Sequence, residues 1–237
     1  MPLLRLVVLA SLLAVLTACA STPSALREPP RIPEQVSNAD WEQDMQRFAA
    51  LDAASPPPRH GVVFVGSSSI RFWETLAADF PGVAVINRGF GGSEVRDSTF
   101  YADRIVIAYA PRQIVMYAGE NDLQSGRTPQ QVAADFRAFV RRVRRDLPKA
   151  RISYISSKPS PLRVALLQEQ RQANALIQAE AARLHVDFID VFTPMLDAHG
   201  QPRGELFIED RLHMNRAGYE LWRQIVAPYV MGPGAGR

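Results

Sequence analysis

The most regular feature of the chain is a series of five short apolar runs. They occupy residues 62–65, 83–86, 114–117, 152–155 and 186–189 and are rich in valine and isoleucine. Apolar residues follow one another in these runs instead of alternating with polar ones, which is typical of strands covered on both faces. The pattern therefore predicts five buried strands of a parallel sheet.

A stretch of helical periodicity follows each apolar run. These stretches begin near Ser68, Glu94, Pro129, Arg163 and Asn215. Strands that alternate with helices pair in parallel, and their crossovers put helices on both faces of the sheet. The predicted fold class is α/β, a three-layer α/β/α sandwich around a five-stranded parallel sheet.

The N-terminal part of the chain has a different composition. Residues 19–39 are rich in serine, proline, arginine and glutamate without an apolar period, which predicts a flexible tether. Beyond it, helical spacing begins with Trp41, Met45, Phe48 and Leu51. We predict a single domain over residues 40–232.

The first 18 residues are typical of an export signal. Arg5 precedes an apolar run over residues 6–16, which is too short to span a bilayer, and small residues follow. The end of this segment, Leu16-Thr17-Ala18-Cys19, resembles the lipobox of bacterial lipoproteins. This resemblance implies a signal peptide over residues 1–18 and a lipid anchor on Cys19. The alternative is an ordinary signal peptide in which the cysteine occurs by chance.

Two further observations bear on location and partners. Ala20 follows the cysteine where an inner-membrane retention signal would usually have aspartate, so the resemblance points to the outer membrane, facing the periplasm. The net charge of +3 is small, and the only cluster of basic residues falls near the end of a predicted helix. Since no nucleic-acid-binding motif accompanies the charge, we expect no nucleic-acid partner.

Candidate chemistry lies where the first three strands end, because the sites of open parallel sheets lie beyond the carboxyl ends of their strands. Ser68 follows the first run, Gly92 the second and Asn121 the third. A serine at a helix start is an exposed hydroxyl, but it is also a common helix cap. Gly92 could bring a backbone N–H close to a ligand, although the lysine and spacing of a phosphate loop are missing. Asn121 offers an amide donor, but asparagine is also a common turn residue.

A histidine with a nearby acid completes the set of candidates. Among the four histidines only His213 has an acid three residues earlier, Asp210, which could hold one imidazole nitrogen while the other faces a serine. No second histidine or cysteine lies near it in sequence. We therefore expect neither a metal site nor a cofactor.

Taken in order, these motifs resemble the SGNH, or GDSL-type, esterase and lipase family. That family has serine, glycine, asparagine and histidine in this order, with aspartate three residues before the histidine, and the resemblance covers roughly residues 60–230. Phe64-Val65-Gly66 is similar to the opening of the branch related to platelet-activating-factor acetylhydrolase. The resemblance implies a flavodoxin-like arrangement of the sheet.

The same resemblance implies a role for each motif residue. Ser68 would be the nucleophile, and its N–H, the Gly92 N–H and the Asn121 amide would form the oxyanion hole. His213 would be the general base and then the acid, oriented by Asp210. One departure is that Ser67 stands where the family has aspartate, and three consecutive serines leave the register open. Trp73, aligned with the tryptophan that often follows this motif, favours Ser68.

The implied function is a serine esterase that hydrolyses short-chain, for example acetyl, esters of sugars or lipids without a cofactor. Three arginines near the motifs, Arg71, Arg88 and Arg96, favour short acyl groups over fatty chains. Two alternatives remain at this stage. The chain could be an O-acyltransferase acting on envelope polysaccharide, or a carbohydrate-binding lipoprotein that has lost turnover.

Overall fold

The computed structural model describes residues 36–232. The predicted signal peptide, Cys19 and most of the predicted tether lie outside this range, as do residues 233–237. Within it, Val36 packs against the core, and Ser37 donates hydrogen bonds from its backbone N and its Oγ to the Asp97 carboxylate, at 2.7 and 2.5 Å. The last residues before the first helix therefore lie against the domain.

Five parallel strands form one sheet, which confirms the predicted fold class. The strands are β1 Val62–Gly66, β2 Val85–Gly89, β3 Gln113–Tyr117, β4 Arg151–Ile155 and β5 Asp187–Ile189. Their order is β2-β1-β3-β4-β5, and every neighbouring pair is parallel. This is the doubly wound order in which the chain reverses its direction of winding between β1 and β3, leaving a crevice at the carboxyl ends of those two strands.

Nine α-helices accompany the sheet in the described residues: α1 Trp41–Ala54, α2 Ser68–Arg71, α3 Leu76–Asp79, α4 Val95–Phe100, α5 Ala102–Ile105, α6 Glu120–Gln124, α7 Pro129–Asp146, α8 Leu167–Arg183 and α9 Arg216–Val230. None of them is long and apolar enough to cross a membrane. The predicted starts at Pro129 and Asn215 agree with α7, which has a Thr128 capping box, and with α9, which Asn215 caps.

Alternate residues of β1 belong to two separate apolar cores. Val63 and Val65 belong to the core that β1 shares with α1, α4, α5, α7 and α8. Val62 and Phe64 belong to the core that contains residues of α2, α3 and α9. All four side chains are fully buried, as expected for a strand covered on both faces. The sheet is thus the middle layer of a three-layer sandwich.

The second strand lies further along the chain than its apolar run predicted. It begins at Val85 rather than residue 83 and continues through Asn87 and Arg88 to Gly89. Arg88 is only 6% exposed, and its guanidinium pairs with Asp52 of α1 and donates to the Tyr109 hydroxyl. A polar residue can remain inside this strand because distant side chains satisfy it.

Helix starts at two other positions also differ from the prediction. The helix expected from Ser68 is a single turn, and the one expected from Arg163 is preceded by a 3₁₀ segment, Pro161–Leu166, so that α8 begins at Leu167. Arg163 itself has non-helical backbone angles. This irregular segment passes beside the site described below.

Gly66, the last residue of β1, leaves no room for a side chain beside β3. Gly66 has φ +133°, and a Cβ there would lie 1.7 Å from the Tyr117 carbonyl oxygen of β3. We predict that Gly66→Ala lowers the free energy of unfolding by at least ~3 kcal/mol, because the strands cannot move apart without losing the hydrogen bonds between them.

Gly126→Ala is the matched control, since Gly126 has φ +90° but a Cβ there would have no atom within 4 Å. It should cost only about 1 kcal/mol. Urea unfolding of both variants, followed by circular dichroism, tests this, and equal losses would contradict it.

Candidate active site

The first wall of the crevice is the turn that leaves β1. After Gly66 the chain enters α2 with Ser67 at the N-cap and Ser68 as the first helical residue. Ser67 N donates to Tyr117 O at 3.0 Å, which ties the turn to the end of β3. The next two serines therefore start a helical turn at the junction of the two strands.

Side chains from two other elements hold this turn. Asn87 Nδ2 of β2 donates to Ile70 O at 2.6 Å, and Tyr219 of α9 donates its hydroxyl proton to Ser69 O at 3.0 Å. Burial raises the pKa of Tyr219, so the hydroxyl keeps its proton as a donor. The Tyr219 bond satisfies a carbonyl that a one-turn helix leaves without an internal partner, and the Asn87 bond adds a second donor to Ile70 O, which also accepts from Trp73 N at 3.1 Å.

Ser68, His213 and Asp210 form a continuous chain of polar contacts. The Ser68 Oγ lies 3.0 Å from His213 Nε2, and His213 Nδ1 lies 2.5 Å from Asp210 Oδ2. Ser68 and His213 are 145 residues apart in sequence, so the fold itself creates this contact. Ser67 and Ser69 are 3% and 2% exposed, and it is Ser68 whose hydroxyl meets the imidazole.

The loop around Asp210 fixes its carboxylate. Its Oδ1 accepts hydrogen bonds from the backbone N–H groups of Leu212 and His213, both at 2.9 Å. Partial burial tends to raise the pKa of Asp210, but these two N–H bonds and the imidazole outweigh it and leave the pKa below its ordinary value. Asp210 is therefore a carboxylate that can accept a hydrogen bond from Nδ1–H, which keeps the proton on Nδ1 and leaves Nε2 free to accept a proton from Ser68.

The imidazole is also packed by an aromatic ring. Phe72 meets the His213 ring edge to face, with centroids 4.9 Å apart, and remains 41% exposed at the surface. An apolar contact on one side and a carboxylate on the other restrict rotation of the imidazole.

Gly92 lies in the second wall, in the loop after β2. It has φ +87°, and a Cβ there would lie 3.1 Å from the Trp41 ring of α1. Trp41 packs edge to face against Phe90, and its Nε1 donates to Ser37 Oγ at 3.1 Å. The first helix therefore supports the glycine loop from behind. In the sequence Trp41 marks only the start of a helical spacing, and no local signal relates it to Gly92.

Asn121 lies in the third wall, at the start of α6 after β3. Its Nδ2 donates to Ser93 O at 3.0 Å, so the loops after β2 and β3 are joined at this point. Its Oδ1 accepts from Arg163 Nη1 at 3.0 Å. In the sequence Arg163 marks only a predicted helix start, and no local pattern predicts its contact with Asn121.

The next residue, Asp122, also joins the loop after β3 to the loop after β2. It is fully buried and accepts from the backbone N–H of Val95, the first residue of α4, at 3.0 Å. Burial raises the pKa of Asp122 to about 8, against the lowering by the Val95 N–H. At neutral pH the carboxyl is thus largely protonated, which avoids burying a charge without a cationic partner.

The three arginines expected near the motifs have different surroundings. Arg71 is exposed beside the glycine loop, with its Nη1 3.2 Å from the Cβ position of Gly91. Arg88 is engaged by Asp52, and Arg96 pairs with Glu94 at 2.8 Å. Arg71 is therefore the one whose guanidinium lies next to the loop that faces Ser68.

A cleft of about 370 Å³ opens beside His213. Its walls combine apolar and polar side chains: Phe72, Glu74, Thr75, Ile208, His213, Met214, Asn215, Arg216 and Tyr219. Within residues 36–232, no group of three His, Cys, Asp or Glu side chains is arranged to hold a metal ion.

Comparison with known proteins identifies the family. The model of the GDSL-like Lipase/Acylhydrolase family matches residues 61–221, which includes every strand and the whole serine–histidine–aspartate arrangement. The chain belongs to this family. Comparison with functionally curated proteins gave no match.

Solved structures of this family share the fold at low sequence identity. A Streptococcus pneumonia protein assigned as a platelet activating factor is 22% identical with a TM-score of 0.72, over 81% of this chain and 92% of that one. A GDSL-like lipase from Bacteroides thetaiotaomicron is 20% identical with a TM-score of 0.68, over 79% and 97%. An acetyl xylan esterase from Geobacillus stearothermophilus is 16% identical with a TM-score of 0.60, over 76% and 98%. Together with the family match, these similarities support an ester hydrolase.

Proposed function

We propose that the protein is a serine esterase that hydrolyses carboxylic esters through an acyl-enzyme on Ser68. The observation that carries this proposal is the chain of contacts from the Ser68 Oγ through the two nitrogens of His213 to the Asp210 carboxylate. A hydroxyl is a weak nucleophile unless a neighbouring base accepts its proton, and this arrangement supplies the base and the group that orients it.

The first half-reaction acylates the serine. The Ser68 Oγ attacks the carbonyl carbon of the ester while its proton passes to His213 Nε2. The tetrahedral intermediate then collapses, the bond to the leaving oxygen breaks, and His213 gives this proton to the departing alcohol. Asp210 accepts the Nδ1 hydrogen bond throughout and stabilises the transient imidazolium.

The second half-reaction returns the enzyme to its starting state. Water attacks the acyl carbon, and His213 accepts its proton. The carboxylic acid leaves when the Ser68 Oγ recovers a proton from His213. In both halves the negative oxygen would be stabilised by the Ser68 and Gly92 N–H groups and by the Asn121 amide, which approach from three neighbouring loops.

The cleft beside His213 suits the alcohol part of the ester. His213 protonates the leaving oxygen, so the alcohol must depart on the side of the imidazole. The exposed ring of Phe72 could face the flat side of a sugar or an aliphatic group, while the Glu74 carboxylate offers an acceptor for hydroxyls.

For the acyl part we propose a short group, such as acetyl. A Cβ on Gly91 would lie 3.9 Å from Ser68 Cβ and 3.2 Å from Arg71 Nη1. The Arg71 guanidinium therefore borders the space beside Ser68, and such a charged group is an unfavourable neighbour for a long alkyl chain. Among the structural neighbours, an enzyme described as an acetyl-xylooligosaccharide esterase is consistent with acetyl transfer from a sugar.

The location proposed for this esterase is the bacterial envelope. The sequence Leu16-Thr17-Ala18-Cys19 supports a lipid anchor on Cys19, and Ala20 supports the outer membrane, facing the periplasm. An anchored esterase would meet acylated glycans or lipids of the envelope as substrates.

The register of the three serines gives the first test of the function. Ser68→Ala should lower kcat for p-nitrophenyl acetate by roughly three to six orders of magnitude, because the nucleophile is removed. Ser67→Ala and Ser69→Ala are matched controls, since they remove a neighbouring hydroxyl that does not contact His213, and they should retain measurable turnover.

Two outcomes would contradict the proposed esterase with Ser68 as nucleophile, and a third would contradict only the proposed short acyl group. An inactive Ser69→Ala enzyme with an active Ser68→Ala enzyme would move the nucleophile by one residue. A wild-type protein with no hydrolysis of any short ester would remove the esterase assignment. Faster turnover of the palmitoyl ester than of the acetyl ester, below micellar concentrations, would contradict the short acyl group alone.

The anchor is tested independently of catalysis. Labelled fatty acid should be incorporated into the wild-type protein expressed in a bacterial host, and Cys19→Ala should abolish the labelling while leaving esterase activity intact. Wild-type protein that stays unlabelled and is released in soluble form from the periplasm would contradict the lipoprotein assignment.

A further inference from the structure

Arg163 is a cation beside the proposed oxyanion hole that the mechanism above does not use. Its side chain is 12% exposed, and its Nη1 lies 3.0 Å from Asn121 Oδ1. The guanidinium can only donate hydrogen bonds, so the atom of Asn121 that it meets must be the amide oxygen.

Two partners together determine which way the Asn121 amide faces. Its oxygen accepts from Arg163, and its nitrogen donates one hydrogen to Ser93 O at 3.0 Å. A flip of the amide would bring two donors together at Arg163 and two acceptors together at Ser93. The observed orientation leaves the second N–H hydrogen of Asn121 for another acceptor, whereas the flipped one would present a carbonyl oxygen to a developing anion.

Arg163 is itself held by a buried acid. The Glu120 carboxylate is 3.6 Å from Arg163 Nη1 and also binds Lys158 Nζ at 2.5 Å, Ser160 Oγ at 2.7 Å and the Tyr117 hydroxyl at 2.9 Å. Burial tends to raise the pKa of Glu120, but Lys158 and Arg163 lower it overall, so it is a carboxylate. A carboxylate fixed on several sides gives the guanidinium a defined position.

The backbone around Arg163 also contacts the other half of the site. Leu162 N donates to Arg211 O at 3.0 Å, in the loop between Asp210 and His213. The segment that carries Arg163 is thus attached both to the loop of the base and, through the guanidinium, to Asn121.

We infer that Arg163 is a positioning residue of the esterase, which acts by holding the Asn121 amide with its N–H group towards the oxyanion. This inference rests on the proposed function, in which Asn121 stabilises the tetrahedral intermediate. Because the effect passes through Asn121, it concerns the transition state and not the binding of the ester.

The variant Arg163→Met keeps the length of the aliphatic side chain and removes the donor. We expect kcat for p-nitrophenyl acetate to fall roughly 10- to 100-fold, with KM within about twofold of wild type, since a preorganised oxyanion donor is worth about 10²–10³ in kcat and Ser93 still restrains the amide. The pH profile should be unchanged because His213 and Asp210 are untouched. Arg163→Lys, which keeps a cationic donor, should recover part of the loss.

A double-mutant cycle with Asn121→Ala separates positioning from other roles. Asn121→Ala alone should lower kcat by roughly 10²–10³. Adding Arg163→Met to it should lower kcat by less than about threefold more, because the amide to be positioned is gone. Arg171→Met, on α8 with its guanidinium on Gly200 O, is the control arginine and should keep wild-type kinetics. Thermal unfolding of each variant shows whether it is folded.

Each result has a defined meaning. Additive losses in the cycle, a rise in KM without a fall in kcat, or full activity of Arg163→Met would overturn the inference. Asn121→Ala with wild-type kcat would instead overturn the oxyanion role of Asn121, and Ser68→Ala with wild-type kcat would overturn the esterase mechanism itself. If Arg163→Met fails to fold, the cycle run with Arg163→Lys decides by the same criterion of additivity.

Discussion

The close approach of β1 and β3 at their carboxyl ends is the constraint on which the site depends. Gly66 pairs with Tyr117 in the sheet register, and a Cβ at Gly66 would overlap the Tyr117 carbonyl. This approach brings the turn that carries Ser68 next to the turn that carries Asn121, although 53 positions separate the two in sequence. A looser junction would separate the nucleophile from the oxyanion donor by more than the fraction of an ångström that preorganised catalysis tolerates.

Around this junction, polar side chains buried in the domain determine geometry more than they add stability. The Glu120–Lys158 pair is almost fully buried, and the desolvation of two such charges can cancel their attraction. The pair instead fixes the positions of its neighbours, since the Glu120 carboxylate also binds Arg163 and the hydroxyl groups of Ser160 and Tyr117. Asp122 acts similarly through the first N–H of α4, as a largely neutral carboxyl. The oxyanion side of the crevice is therefore held by several buried polar contacts, whereas the His213 side borders an open cleft.

The sheet was largely predictable because strands depend on local pattern, and continuous β-branched runs located four of the five strands to within a residue or two. The grouping of Ser68, His213 and Asp210 in one site was implied by the resemblance to the SGNH family and not by any local pattern, since 145 residues separate Ser68 from His213. The second strand was misplaced because Arg88 is satisfied by Asp52, 36 residues away, and no local window contains that partner. The contact of Arg163 with Asn121 was missed for the same reason: it arises from tertiary packing of an irregular segment, which neither periodicity nor motif spacing encodes.

Covalent trapping of the nucleophile tests the proposed role of Ser68 most directly. A dialkyl p-nitrophenyl phosphate should phosphorylate one serine per chain, and trypsin should release residues 60–71 as a single peptide that contains all three consecutive serines. Fragmentation of this peptide in a mass spectrometer should locate the adduct on Ser68, and His213→Ala should slow its formation strongly because the base is lost. An adduct on Ser67 or Ser69, or esterase activity that survives without any adduct on this peptide, would contradict the account.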